Sequence, residues 1–352
     1  MASFHIGERQ IGPEHPTYII AEMSGNHNQN FDEACEIVRA AAETGADALK
    51  LQTYTPDTIT LNVRNEHFLL GEGTLWAGKN LYDLYGEAHT PWEWQPKLKE
   101  LGESLGMQVF SSPFDFTSVD FLEEMDVAAY KIASFELVDI PLIEYVASKG
   151  KPMIMSTGMA QLAEIEEAVA AARAAGCQDL ALLKCNSAYP APPSEMNLRV
   201  IPDLAARFGV VAGLSDHTLG DAAAIASVAL GGRIIEKHFT LSRDVPGPDS
   251  SFSMEPAEFK AMVDAVREAE AALGEIKYEV TQKEMASRIF RKSIFVAQDI
   301  AAGEVFTEAN LRCVRPGVGL HTRHWRNLLG QKSNRPLAAG TPMAMDFVAP
   351  SE

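Results

Sequence analysis

Short apolar runs alternate with longer segments of helical composition from Tyr18 to Leu273. The longer segments are rich in alanine, glutamate and leucine, as in Phe31–Thr44 and Leu162–Ala175. The runs that predict strands are Tyr18–Glu22, Ala48–Gln52, Gln108–Ser111, Ala129–Ile132, Pro152–Ser156, Leu180–Lys184, Val210–Ser215 and Ile234–His238. A strand followed by a helix, repeated eight times, predicts a (β/α)8 TIM barrel of the α/β class. A doubly wound open sheet is the alternative, because periodicity alone does not separate the two folds.

The pattern changes after the last helical segment, where the chain becomes β-rich with many turns. Residues 1–273 are predicted to form the barrel, 274–287 a linker, and 288–352 a small C-terminal domain. This domain contains a weak internal repeat, because Asp299–Gly303 resembles Pro336–Gly340. Such a repeat fits a small pseudo-symmetric β domain.

Composition narrows the classes of protein to which the chain can belong. A formal net charge of −18 disfavours a nucleic-acid-binding surface, since phosphate backbones require a basic face. The apolar runs are far shorter than the ~20 residues that span a membrane, and Met1–Gly12 lacks the apolar run of a signal peptide. The four cysteines form no Cys-x-x-Cys pair, which indicates a reducing compartment. We therefore expect a cytoplasmic protein that binds neither nucleic acid nor membranes.

Polar and ionisable residues stand at the carboxyl end of every predicted strand. In a barrel these ends lie on one face, where active sites are found. The residues at these ends are Glu22, Lys50, Gln52, Ser111, Ser112, Lys131, Ser134, Glu136, Ser156, Thr157, Lys184, Asn186, Ser187, Tyr189, Ser215, Asp216, His217, Glu236, Lys237 and His238. On a single strand such residues would merely mark the end of an apolar run. Their recurrence on all eight strands predicts an active site.

His217 and His238 are the predicted metal ligands. They end neighbouring strands, so their side chains can converge on one ion, and neutral imidazole binds divalent transition metals well. A site with two histidines and several waters suits an open Mn²⁺, Co²⁺ or Mg²⁺ ion better than a closed structural Zn²⁺ ion. Two structural histidines with satisfied hydrogen bonds are the alternative.

Lys50 and Lys131 end the second and fourth predicted strands. An ammonium group is a compact point charge that suits a phosphate or a carboxylate. A Schiff base to a carbonyl substrate is the alternative use of either lysine. Hydroxyl donors for phosphate oxygens are available at Ser134, Ser156 and Ser215. The chain contains neither of the glycine-rich motifs that bind nucleotides, so nucleotide cofactors are not indicated.

The longest connection, from Thr53 to Pro91, follows the second predicted strand. Loops at this end of a barrel border the active site, and long loops in compact domains tend to be functional. Its aromatic residues include Phe68, Trp76, Tyr82 and Tyr85.

Several motifs at the strand ends together resemble the sialic acid synthase family, whose members condense phosphoenolpyruvate with an amino sugar to form nine-carbon nonulosonic acids. The motifs are Ala21-Glu22-Met23-Ser24-Gly25-Asn26-His27-Asn28, Lys50-Leu51-Gln52-Thr53, Ser112-Pro113-Phe114, Tyr130-Lys131-Ile132-Ala133-Ser134, Ser156-Thr157-Gly158, Lys184-Cys185-Asn186-Ser187-Ala188-Tyr189-Pro190, Gly213-Leu214-Ser215-Asp216-His217-Thr218 and Glu236-Lys237-His238-Phe239-Thr240. The tail, with Val314-Arg315-Pro316-Gly317, resembles the C-terminal antifreeze-protein-like (SAF) domain of that family. The resemblance covers nearly the whole chain.

The resemblance implies roles for individual residues. It assigns His217 and His238 to a divalent metal, with Mn²⁺ favoured over Mg²⁺ and Co²⁺. Glu22 is the candidate for directing the attacking water. A domain-swapped homodimer is implied, in which Arg315 reaches the active site of the partner. The residues expected around phosphoenolpyruvate are Lys50, Lys131, Ser134, Ser156, Ser187 and Ser215. Those expected near the sugar or the catalytic centre are Gln52, Glu136, Tyr189 and Asp216, and Ser112 and Asn186 are expected to contact substrate.

Some segments are most similar to one branch of the family, the pseudaminic acid synthases. They are Gly73–Trp76, Leu81–Tyr85, Thr90–Trp94 and Asp249–Ser253. This similarity implies 2,4-diacetamido-2,4,6-trideoxy-L-altrose as the sugar, with N-acetylneuraminate or legionaminate synthesis as alternatives. Gln29 departs from the glycine that many relatives carry after Asn-His-Asn, and it is expected to border the site. More remote alternatives are a metal-dependent sugar isomerase and a non-catalytic carbohydrate- or ice-binding protein.

Overall fold

The structure, a computed structural model, describes residues 2–71 and 76–350. The chain forms two compact units, Met1–Gly274 and Glu275–Glu352. Each unit has a hydrophobic core of its own. Within the described residues, no helix is long and apolar enough to cross a membrane.

The first unit begins with a small antiparallel hairpin, β1 (Phe4–Ile6) and β2 (Arg9–Ile11). Its apolar side chains are buried in the same cluster as Tyr18 and Ala48, which begin two barrel strands. Arg9 also pairs with Asp47 at 2.8 Å. The hairpin therefore packs at the amino ends of the strands. Each of its strands has only three residues, which is too short for a recognisable alternating pattern in the sequence.

Eight parallel strands close into a barrel, which confirms the predicted fold. They are β3 (Tyr18–Glu22), β4 (Ala48–Thr53), β5 (Gln108–Pro113), β6 (Tyr130–Ile132), β7 (Met153–Ser156), β8 (Leu180–Cys185), β9 (Val211–Asp216) and β10 (Ile234–His238). Pairing of β10 with β3 completes the ring and excludes the open sheet. Glu22 lies level with both Lys50 and His238 in this register, so the predicted site residues stand at one height.

The segments that follow the strands form helices because apolar residues recur in them at helical spacing. In α1, the buried residues Ala34, Ile37, Val38 and Ala41 form one face, and the Asn30 side chain caps the first turn by accepting from two backbone N–H groups. The helices of this unit are α1 (Phe31–Glu43), α2 (Pro56–Ile59), α3 (Leu81–Ala88), α4 (Gln95–Ser104), α5 (Phe116–Glu124), α6 (Ile140–Ala147), α7 (Leu162–Ala174), α8 (Val200–Phe208), α9 (Ala222–Ala229) and α10 (Pro256–Leu273).

The second unit contains a three-stranded antiparallel sheet in the order β12-β11-β13 and two short helices. These elements are β11 (Ser293–Val296), β12 (Leu311–Val314), β13 (Leu320–His321), α11 (Gln282–Ser287) and α12 (Trp325–Leu328). Helix α11 lies within the segment expected to be a linker. The two halves of the weak repeat pair with each other, because Ile300 and Leu337 exchange backbone hydrogen bonds of 2.8 and 2.9 Å.

Candidate active site

A cavity of about 500 Å³ opens at the carboxyl ends of the barrel strands, where the sequence placed an active site. Its lining includes many of the predicted residues together with an aromatic wall. The predicted residues that line it are Lys50, Gln52, Lys131, Ser134, Glu136, Ser156, Tyr189, Ser215, His217 and His238. The strand ends of the barrel thus bring together residues that are far apart in sequence.

A buried cluster of two lysines and two glutamates lies at the base of this cavity. Lys50 Nζ is 2.9 Å from Glu22 Oε2 and 3.0 Å from Glu236 Oε1. Lys131 Nζ lies 3.7 Å from the same Glu236 oxygen, and Ser215 Oγ donates to it at 3.2 Å. The sequence reasoning left Glu236 without a role. Its position two residues before His238 was the available signal, because alternate residues of a strand share a face.

Burial and charge act against each other in this cluster. Burial raises the pKa of Glu22 to about 7, although Lys50 opposes the shift. Burial likewise lowers the pKa of Lys131 to about 8, against the attraction of Glu236. For Lys50 the two carboxylates outweigh burial and raise the pKa of its ammonium group. The cavity therefore presents ammonium groups to a ligand, while Glu22 can exchange a proton near neutral pH.

Small hydroxyl residues form one side of the cavity close to Gly158. Ser134 Oγ accepts from the Gly158 N–H at 3.1 Å, and its hydroxyl also contacts the Cys185 thiol. The buried Ser156 hydroxyl has no hydrogen-bond partner among the described residues. A side chain at Gly158 would collide with the Ser134 and Ser187 hydroxyls, at 2.6 and 2.2 Å from its β-carbon. The Ser134 and Ser187 hydroxyls thus lie close to the Gly158 backbone and form a compact group of neutral side chains. Ser134 lines the cavity, whereas Ser187 does not.

The rings of His217 and His238 lie 5.3 Å apart between their centroids. His217 Nδ1 is 2.7 Å from the Asn186 carbonyl, so this nitrogen carries the proton and Nε2 is left to bind a ligand. His238 Nδ1 is buried without a hydrogen-bond partner in the described structure. Burial holds the pKa of His238 well below its usual value, which keeps the ring neutral. The positions of these two imidazoles fit the expected metal ligands.

Few other metal-binding side chains stand near these two rings. In residues 2–71 and 76–350, no group of three or more His, Cys, Asp or Glu side chains is arranged to hold an ion. An ion bound by His217 and His238 would therefore complete its coordination with water or substrate, as the open site expected from the sequence requires.

Asp216, for which a catalytic role was expected, is not in the cavity lining. Its carboxylate accepts from Lys237 Nζ at 2.7 Å and from the Thr218 N–H at 2.9 Å, and both charged side chains are buried. Ser215 and Glu236 face the cavity, so their neighbours along the strands point to the other face of the sheet. Asp216 is placed as one half of a structural ion pair.

Four further predicted residues are not in the cavity lining, among them Glu22, whose carboxylate pairs with Lys50 of that lining. Ser112 is buried, and its hydroxyl has no partner in the part of the chain that the structure describes. The Asn186 side chain accepts from the Ala188 N–H at 2.9 Å, and it is its backbone carbonyl that contacts His217. Arg315 belongs to the second unit, directly after β12.

The outer part of the cavity is aromatic and includes residues of the long loop after β4. Tyr189 stacks on His217 with 4.4 Å between ring centroids, and Trp76 lies 5.9 Å from Tyr189. Trp76 Nε1 donates to the Pro248 carbonyl at 3.0 Å. Tyr54 and Tyr85 continue this wall. The loop thus borders the site as expected, although Gly73–Leu75 of the quoted motif fall outside the described residues.

Gln29 lies away from the main cavity and holds the end of the long loop. Its side-chain amide donates to the Glu87 and His89 carbonyls. Its φ of 56° lies in the left-handed region that favours glycine. Gln29 also lines a neighbouring groove together with Trp76 and Pro248.

Comparison with known proteins agrees with the motifs. The NeuB family model matches residues 37–278 and the SAF domain model matches residues 291–349. A pseudaminic acid synthase of Helicobacter pylori is 44% identical over 95% of this chain and 98% of its own length. An N,N'-diacetyllegionaminic acid synthase of Legionella pneumophila is 35% identical over 97% of both chains. The crystal structure of an N-acetylneuraminic acid synthetase from Leptospira borgpetersenii, in complex with citrate, superposes with a TM-score of 0.72 at 31% identity, covering 81% of this chain and 95% of that one.

Proposed function

The chain belongs to the NeuB family, and we propose that it is a pseudaminic acid synthase. The reaction joins phosphoenolpyruvate to 2,4-diacetamido-2,4,6-trideoxy-L-altrose and consumes water, giving pseudaminic acid and phosphate. Support for the sugar comes from three relatives of that name, each 44% identical over at least 92% of the chain. The observation that carries the proposal for the site is the cavity that joins two buried lysines to a pair of neighbouring histidines.

The cluster at the base of the cavity is suited to an anion. Lys50 and Lys131 would hold the phosphate and carboxylate of phosphoenolpyruvate, and the hydroxyls of Ser134 and Ser156 would complete the hydrogen bonds. Fixing two substrates in line contributes ~7–11 kcal/mol to catalysis in favourable cases. Positioning by these buried groups would therefore supply much of the rate enhancement.

The proposed condensation forms a bond from C3 of phosphoenolpyruvate to the aldehyde carbon of the open-chain sugar. Water adds at C2, and phosphate leaves by cleavage of its bond to that carbon. Glu22, whose pKa is about 7, would accept the proton of this water and stabilise positive charge at C2. A divalent ion held by His217 and His238, for which Mn²⁺ is our first choice, would supply Lewis-acid polarisation of the aldehyde oxygen.

Phosphate release from phosphoenolpyruvate against a panel of amino sugars tests the function. We expect release only when an amino sugar is present, and fastest with the diacetamido-trideoxy-altrose. A preference for N-acetylmannosamine or for the legionaminate precursor would replace the proposed sugar. Isomerisation of a sugar without phosphoenolpyruvate, or binding without turnover, would reject the proposal as a whole.

A homodimer with exchanged C-terminal domains is our proposal for the assembly. In the second unit, Ile276 and Tyr278 are 93% and 96% exposed, an unusual state for large apolar side chains. Exposed apolar residues also stand on loops after several barrel strands, among them Phe135, Met159 and Leu219. A second copy that covers these surfaces would remove them from water, and its Arg315 would complete the site.

The four cysteines are unpaired, which fits the proposed cytoplasmic location.

Mixed dimers give a direct test of the exchange. A dimer of one Arg315→Ala chain and one Lys131→Ala chain is expected to have about half the wild-type activity, because one of its two sites receives an intact barrel and an intact arginine. Each homodimeric variant, measured alongside, is expected to be nearly inactive. If Arg315 served its own chain, the mixed dimer would be as inactive as the variants.

A further inference from the structure

Ser24 follows the first barrel strand in a backbone conformation that serine rarely adopts. Its φ is 48°, in the left-handed region where residues other than glycine carry a steric cost. The side chain is buried at the edge of the cavity. A glycine would occupy this position without strain, so the hydroxyl itself must account for the presence of serine.

The hydroxyl of Ser24 joins two cavity residues. It accepts from Gln52 Nε2 at 3.1 Å and donates to Asp249 Oδ2. The other N–H of the Gln52 amide is taken by Glu22 Oε1 at 3.0 Å. Both donors of this amide are therefore occupied, and its oxygen, which has no partner among the described residues, is left for a ligand.

The groups beside Ser24 differ in chemistry from the two lysines, although Gln52 and Lys50 bind the two oxygens of the same Glu22 carboxylate. The Gln52 oxygen and the Asp249 carboxylate are both acceptors, and both residues line the cavity. Acceptors side by side attract N–H and O–H groups and repel an anion. The anionic substrate is thereby directed to the two lysines, and a neutral ligand with donor groups fits beside Ser24.

We propose that Ser24 is a positioning residue that sets specificity for the amino sugar. It fixes the orientation of the Gln52 amide and of the Asp249 carboxylate, so that both accept from N–H and O–H groups of an acetamido sugar. Without the hydroxyl, the Gln52 amide loses one of its two anchors and can turn. The inference rests on the proposed synthase function.

The test is steady-state kinetics of Ser24→Gly and Ser24→Ala with phosphoenolpyruvate and the preferred amino sugar. We expect the KM for the sugar to rise about tenfold or more in both variants, with the KM for phosphoenolpyruvate unchanged within about twofold. Thermal stability of Ser24→Gly is expected to stay close to that of the wild type, because relief of backbone strain offsets part of the cost of the two lost hydrogen bonds. Asp126→Gly is the matched control. Asp126 also has a positive φ, of 51°, but lies between α5 and β6 at the opposite end of the barrel, and its kinetics should not change.

A double variant separates a positioning role from a direct one. If Ser24 acts through Gln52, adding Ser24→Gly to Gln52→Ala should raise the KM for the sugar by less than it does in the wild-type background. Wild-type kinetics in Ser24→Gly would overturn the inference, and so would an equal rise in the KM of both substrates. Failure of the synthase proposal is a separate result, because the wild-type protein would then release no phosphate with any amino sugar.

Discussion

Replacing His217 with alanine is expected to lower turnover by about 10³-fold or more while the barrel stays folded. The physical reason is that His217 provides one of the two imidazoles among the described residues of the cavity lining, and a Lewis acid contributes several kcal/mol to such a reaction. His238→Ala should have the same effect. Removal of divalent ions with EDTA should abolish wild-type activity, and Mn²⁺ should restore it. Phosphate release and circular dichroism are the two measurements.

Metal binding itself provides a readout that does not depend on turnover. The wild-type protein is expected to bind about one Mn²⁺ per chain in an equilibrium titration, and each histidine variant is expected to bind far more weakly. His5→Ala is a suitable control, because His5 is exposed on β1. Full activity after thorough chelation, or unchanged Mn²⁺ affinity in His217→Ala, would contradict the assignment.

Replacing Asp216 with alanine is expected to destabilise the protein by about 3–5 kcal/mol. Lys237 Nζ would lose its carboxylate partner at 2.7 Å while the ammonium group remains buried. Only the Thr218 carbonyl, at 2.6 Å, would still accept from it. The free energy of unfolding, measured with urea, is the relevant quantity. Activity per folded molecule should stay within about threefold of the wild type, because Asp216 does not line the cavity.

A double substitution distinguishes a structural ion pair from a catalytic carboxylate. Asp216→Leu combined with Lys237→Met removes both charges, and it should recover much of the lost stability. The double variant should then be active. If it were stable and inactive, the catalytic role first expected for Asp216 would be restored.

The sequence by itself determined the alternation of strands and helices and the face that carries the site. Apolar runs and helical segments in strict alternation leave a closed α/β barrel and an open sheet as solutions, and polar residues at one end of every run mark one face. The same pattern brought His217, His238, Lys50 and Lys131 to a common cavity, since parallel strands align their carboxyl ends. Motifs at those ends were sufficient to indicate the family that the comparisons confirm.

Only the tertiary structure decided which partner each side chain meets at the strand ends. Asp216 and His217 are adjacent in sequence, yet Asp216 pairs with Lys237 while His217 lines the cavity. Glu236 is the centre of the charged cluster, because its carboxylate contacts Lys50, Lys131 and Ser215, which belong to three other strands. Ser24 gained its role through Asp249, a partner 225 positions away. Local sequence records strand order and alternation, whereas partners across the barrel depend on register and closure, which are properties of the whole fold.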